Sequence, residues 1–128
     1  MLFNCRGLQG KLTENDFRRE YIELRDGFYH IVGLAEPWMD SDYSIPGLTV
    51  YHEPRRLPGF SSKRGGFSFW LRASLHLYSK DLCVTQLRDG VPPETVSLLF
   101  DDGSIFGCEK PVVLIGSYVT NDPDFSII

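Results

Sequence analysis

Short apolar runs separated by loop-forming stretches dominate the chain, and helical spacing occurs only near its start. Residues 1–5 are largely apolar and are followed by Arg6-Gly7, which predicts a short buried strand. Thr13 with Asp16 three positions on has the form of a capping box, and Phe17, Tyr21 and Leu24 recur at i, i+4 and i+7. A helix is expected there, ending at Gly27, which accepts the left-handed conformation of a C-cap at little cost. Residues 29–35 are too short and too continuously apolar for an amphipathic helix and read as a second buried strand. Strand, helix and strand within this span predict a βαβ unit with a right-handed crossover.

Beyond residue 36 the pattern breaks up. Pro37, Pro46, Pro54 and Pro58 punctuate a loop-rich stretch around a short strand expected at 48–52. Residues 60–66 read as a flexible basic turn. Further strands are expected at 67–71, 74–80, 82–87, 95–100 and 112–119. The sum is an α/β fold of one domain over residues 1–128, with a mixed sheet covered by helix on one side.

Composition narrows the classes. With 42% apolar residues and 9 Phe, 6 Tyr and 2 Trp, the chain has globular composition, which excludes wholesale disorder. No apolar run approaches the roughly 18 residues of a spanning helix, so no membrane partner is expected. Residues 1–10 lack the basic start and apolar stretch of a signal peptide. Three widely spaced cysteines, Cys5, Cys83 and Cys108, suit a reduced intracellular setting, nuclear or cytoplasmic. The formal charge of −4 argues against a simple basic-patch DNA binder, but it lies wholly in residues 101–128. The first 100 residues are neutral and carry a local basic cluster of Arg55, Arg56, Lys63 and Arg64. That cluster fits phosphate contacts and fits a solvated loop equally well.

Two parallel strands of a βαβ unit open at one edge of the sheet, where open α/β sheets bind ligands. Asn4 ends the first strand and Glu36 ends the second, so an amide oxygen and a carboxylate meet the needs of a hard cation such as Mg²⁺. The same spacing also fits a turn-capping Asn4 and a solvated Glu36. His30, His52 and His76 read as structural or exposed, and Cys5 as a small buried hydrophobe.

Asn4-Cys-Arg-Gly-Leu, Leu34-Ala-Glu36-Pro-Trp38, Pro46-Gly47, Arg64-Gly-Gly-Phe and Tyr118-Val-Thr-Asn121 occur in that order. In this the chain resembles the endonuclease/exonuclease/phosphatase superfamily, most of all the apurinic-endonuclease-like domains of non-LTR retrotransposons, which accompany reverse transcriptases. The resemblance implies that Glu36 binds a divalent metal, Mg²⁺ or Mn²⁺, and that Asn4 helps place it. It also implies that Tyr118 and Asn121 contact the scissile phosphate, with Arg55, Arg56, Lys63 and Arg64 as a nucleic-acid-binding patch and DNA as the partner. The implied fold is a DNase-like four-layer α/β sandwich, of which this chain supplies half: one βαβ unit followed by a mostly antiparallel sheet.

The sequence departs from that pattern in three places. Pro37 stands where the family has Thr, and Arg6 where many members carry an acidic residue. The later Asp-x-Asn and Asp-His motifs do not occur before Ile128, so the resemblance covers the N-terminal half of the family's domain. The expectation is a truncated metal-dependent endonuclease domain, inactive as this isolated chain. The alternative is a degenerate non-catalytic relic that acts as a binding module or self-associates through an exposed half-sandwich face.

Overall fold

The computed structural model describes residues 30–35, 37, 47–55, 65–90, 92 and 94–118, together with the backbone of residues 2–4. Seven strands account for nearly all its regular structure: β1 (Leu2–Asn4), β2 (Ile31–Ala35), β3 (Leu48–Glu53), β4 (Phe67–Arg72), β5 (Val84–Leu87), β6 (Thr95–Phe100) and β7 (Val112–Ser117). Two short 3-10 turns, Ala73–Leu77 and Gly103–Phe106, complete it. The described part is therefore mostly β. The helix expected over 13–27 lies outside the described residues.

The strands form two sheets, ordered β1-β2-β4-β3 and β5-β6-β7. This corrects the expectation of one mixed sheet. Alternation sets which face a residue takes, but not which sheet a strand joins. β1 pairs with β2 in parallel, the arrangement a βαβ unit requires, and every other pairing is antiparallel.

The sheets pack against each other. Phe67, Phe69 and Leu71 of β4 meet Val96, Leu98 and Phe100 of β6 in one buried cluster, with Leu75 and Leu82 closing an end. Phe67 and Phe69 sit edge to face, 4.9 Å between ring centroids, an arrangement aromatic pairs favour. Each such side chain contributes about 1.5–3 kcal/mol by leaving water. β4 is buried along its whole length, so the face turned away from the second sheet, with Ser68 and Trp70, is covered as well. Both facing sheets come from the chain's own strands.

A second correction concerns residues 74–80, expected as a strand. Ser-Leu-His-Leu-Tyr imitates alternation, yet Leu75 alone of residues 73–77 is buried, while Leu77 and Tyr78 are exposed. The N–H groups of Tyr78 and Ser79 both return to the Leu75 carbonyl, at 3.1 and 3.3 Å, closing a turn instead of a ladder. Among the described residues no helix is long and apolar enough to cross a membrane.

Candidate functional site

Strand register brings the chemistry-bearing ends together. In the first sheet Asn4 pairs with Ala35, Ala35 with Phe67, and Phe67 with Glu53. This row is one edge of the sheet: β1, β2 and β3 finish there and β4 begins. The second sheet matches it, since β6 begins at Thr95 opposite Ser117, where β7 finishes. Hydroxyls of Thr95 and Ser117 share a hydrogen bond of 2.8 Å across that last register pair.

Glu94 joins the two edges. The residue is 2% exposed, and its Oε1 accepts the Gly66 N–H at 2.8 Å and Nε–H of Arg55 at 3.3 Å. Its backbone carbonyl accepts the Tyr118 N–H at 3.1 Å. One residue thus ties the end of β3, the start of β4 and the end of β7. The Arg55 side chain is 13% exposed, so the pair is largely dry, and removing either partner would strand a buried charge. Glu94 also holds φ at 59°, a left-handed conformation that costs a residue with a Cβ about 1–2 kcal/mol. Such strain persists only where surrounding contacts over-determine it.

Gly65 and Gly66 fit around this anchor. Both have positive φ, 72° and 86°. A Cβ on Gly65 would displace the Glu94 carboxylate and the Arg55 guanidinium, and the positive φ would strain any side chain there. Nearby, Glu53 accepts from Gln86 Nε2 at 3.1 Å and lies 3.5 Å from Arg88 Nε, a second tie between the sheets.

Tyr118 leaves β7 at this edge and packs against the core. Arg55 is ion-paired with Glu94 instead of standing in solvent. Glu36, Arg56, Lys63, Arg64, Asn121 and the side chain of Asn4 lie outside the described residues. Pro37, which follows Glu36, is fully buried. Among the described residues no three His, Cys, Asp or Glu side chains cluster as metal ligands.

The histidines are placed by ordinary hydrogen bonds. His52 Nδ1 lies 2.6 Å from Ser68 Oγ, with both residues buried. His30 Nδ1 lies 3.0 Å from Ser74 Oγ and its ring meets Tyr78 edge-on. His76 is in the 3-10 turn and not, as expected, in a strand.

Two cavities lie among the described residues, and the first reaches this edge at Phe67 and Ser117. A cleft of about 580 Å³ between β2, β4 and β7 is lined by Ile31, Phe67, Phe69, Leu114 and Ser117, and the described residues in its walls include no titratable group. A smaller one, about 190 Å³, lies at the opposite end of the sandwich beside Tyr51, Arg72 and Leu75. Burial there, with Cys83 adding to it, pushes the Tyr51 phenol above its ordinary range.

Sequence reasoning missed Glu94. It follows Pro92-Pro93 and reads as part of a break before a strand, while its partners are 28 and 39 positions away. The usable signal was a charge placed directly before a strand of almost wholly buried residues. Comparison of the chain with protein families, curated proteins and solved structures finds no match.

Proposed function

We propose that this chain is part of a metal-dependent, phosphodiester-cleaving endonuclease domain, with the edge that carries Asn4, Arg55, Glu94 and Tyr118 directed at the phosphates of DNA. The observation that carries the reading is the parallel pairing of β1 with β2, in which Asn4 stands opposite Ala35. The next residue in the chain is Glu36, so the reading assigns an amide and a carboxylate to one sheet edge. In open α/β sheets that edge is where ligands bind. Tyr118 is delivered to the same edge by β7 and is bonded through its N–H to Glu94.

The donor chemistry fits a hard cation. One carboxylate, Glu36, with the Asn4 amide oxygen would hold Mg²⁺ that keeps several waters, the usual mode for that ion at phosphates. When bound, the ion supplies charge neutralisation at the phosphate. The protein's own part is to hold acceptors and donors in place: Asn4 and Glu36 on the first sheet, Tyr118 on the second. Among the described residues Glu94 and Glu53 are engaged by Arg55, Gly66, Gln86 and Arg88, and the reading assigns the metal to Glu36. A single metal-side carboxylate without a general base would lack the acid–base contribution of about 10²–10⁴-fold. These 128 residues by themselves are accordingly assigned binding without turnover, which is also the behaviour of a non-catalytic binding module of the same descent.

Duplex DNA binding with and without Mg²⁺, alongside nicking of supercoiled plasmid, tests the reading. Binding that needs Mg²⁺ and weakens in Glu36→Gln, with no nicking, is expected. Absence of binding, or binding indifferent to both Mg²⁺ and Glu36→Gln, overturns it. Nicking that vanishes in Glu36→Gln would overturn the assignment of inactivity.

A further inference from the structure

We propose that Glu94 is a positioning residue for phosphodiester recognition, holding Arg55 of the first sheet and Tyr118 of the second in the register that meets a nucleic-acid backbone. The inference rests on the reading that this edge binds DNA. It adds a residue that neither the sequence motifs nor the metal chemistry calls for. Three contacts converge on Glu94 from stretches far apart in the chain: the Gly66 N–H and Arg55 Nε on its carboxylate, and the Tyr118 N–H on its carbonyl. Its left-handed backbone is a conformation that Gly or Asn takes more cheaply, so the side chain's partners must hold it there. The Gly65 turn closes against the same carboxylate, which a Cβ there would have to displace. A misplaced anchor would therefore move both sheets' contributions at once. Small displacements of positioning groups are costly because binding depends on their pre-set geometry.

Charge and position make opposite claims about this residue. A carboxylate beside phosphates repels them, so on charge alone every neutral substitution tightens binding, and all neutral substitutions are equal. Positioning separates them. Glu94→Gln keeps an oxygen that can accept from Gly66 and Arg55, whereas Glu94→Ala keeps neither, though both variants have the same net charge.

The experiment measures affinity for a short fluorescein-labelled duplex by anisotropy in Mg²⁺ over a series of salt concentrations, with circular dichroism to establish that each chain is folded. Glu94→Ala is expected to bind about tenfold more weakly than Glu94→Gln, with a salt slope lower by about one phosphate contact. Arg55→Ala should weaken binding similarly, and combining it with Glu94→Ala should add little. If Glu94→Ala does not fold, Glu94→Asn replaces it, since Asn tolerates the left-handed backbone but is too short to span to Arg55 and Gly66. Equal affinity of the folded Ala (or Asn) and Gln variants, with the unaltered chain binding normally, overturns the positioning role and leaves the DNA reading standing. Failure of the unaltered chain to bind DNA overturns both.

Discussion

The two ends of the sandwich are closed by different physics. At one end Leu75 and Leu82 cap the core, and the turns beside them are held by backbone hydrogen bonds and by carboxylates that accept backbone N–H groups, Asp101 from Cys83 at 2.8 Å and Asp102 from Ser104 at 2.9 Å. Apolar closure of this kind is non-directional and tolerates repacking. At the other end a buried carboxylate, a nearly buried guanidinium, two left-handed glycines and a left-handed Glu94 occupy the space. Directional bonds and strained backbone are an expensive way to close a core. Among the described residues, the buried ion pair and the left-handed Glu94 both fall at the end where β1, β2, β3 and β7 finish.

The contrast is sharpened by substitutions, the largest effect first. Leu75→Ala should cost about 2–5 kcal/mol in urea denaturation, by lost burial and a residual cavity, while the folded fraction binds DNA normally. Glu94→Ala should cost about 2–3 kcal/mol, because it leaves Arg55 without its carboxylate, and here the folded fraction should bind poorly. Glu94→Gly, which makes the same contacts as the Ala variant but relaxes the backbone, should be more stable than Glu94→Ala by about 1 kcal/mol. Gly65→Ala should destabilise by about 1–2 kcal/mol and disturb the amide resonances of Gly66 and Tyr118, whereas the far-end amides stay in place.

The smallest effect concerns pH. Asp102, at the apolar end, has its carboxyl held below the ordinary aspartate range by the Ser104 hydroxyl, then the Ser79 hydroxyl and the Ser104 N–H, the last at 2.9 Å. A carboxyl with a lowered folded value contributes in full above its unfolded pKa, about 3.9, and loses that contribution as pH falls through the folded value. The stability difference between the unaltered chain and Asp102→Asn should therefore shrink as pH drops from about 5 to about 3, read from urea midpoints along the series.

Much of the strand framework was legible. Thr95–Phe100 has the predicted bounds, and the parallel partnership of β1 and β2 follows from reading two apolar runs around a helical period. The division into two sheets was not legible, because a period-2 pattern carries no record of the partner strand. Residues 74–80 misled because a single inward leucine among alternating polar positions looks the same in a strand and in a 3-10 turn. Asn4 could be placed at the sheet edge because it ends an apolar run, whereas Tyr118 was singled out through the resemblance alone. Glu94 could not, because what makes it unusual is contact with Gly66 and Arg55 and a positive φ, none of which is written locally in Pro-Pro-Glu-Thr.

The most direct test of the account is a titration of the ¹⁵N-labelled chain with a short DNA duplex in Mg²⁺, followed amide by amide. The account predicts that shifts gather on Gly65, Gly66, Glu94 and Tyr118 while Leu75, Leu82 and Ser104 stay still. Shifts gathered at the leucine-capped end, or none at all, would contradict it.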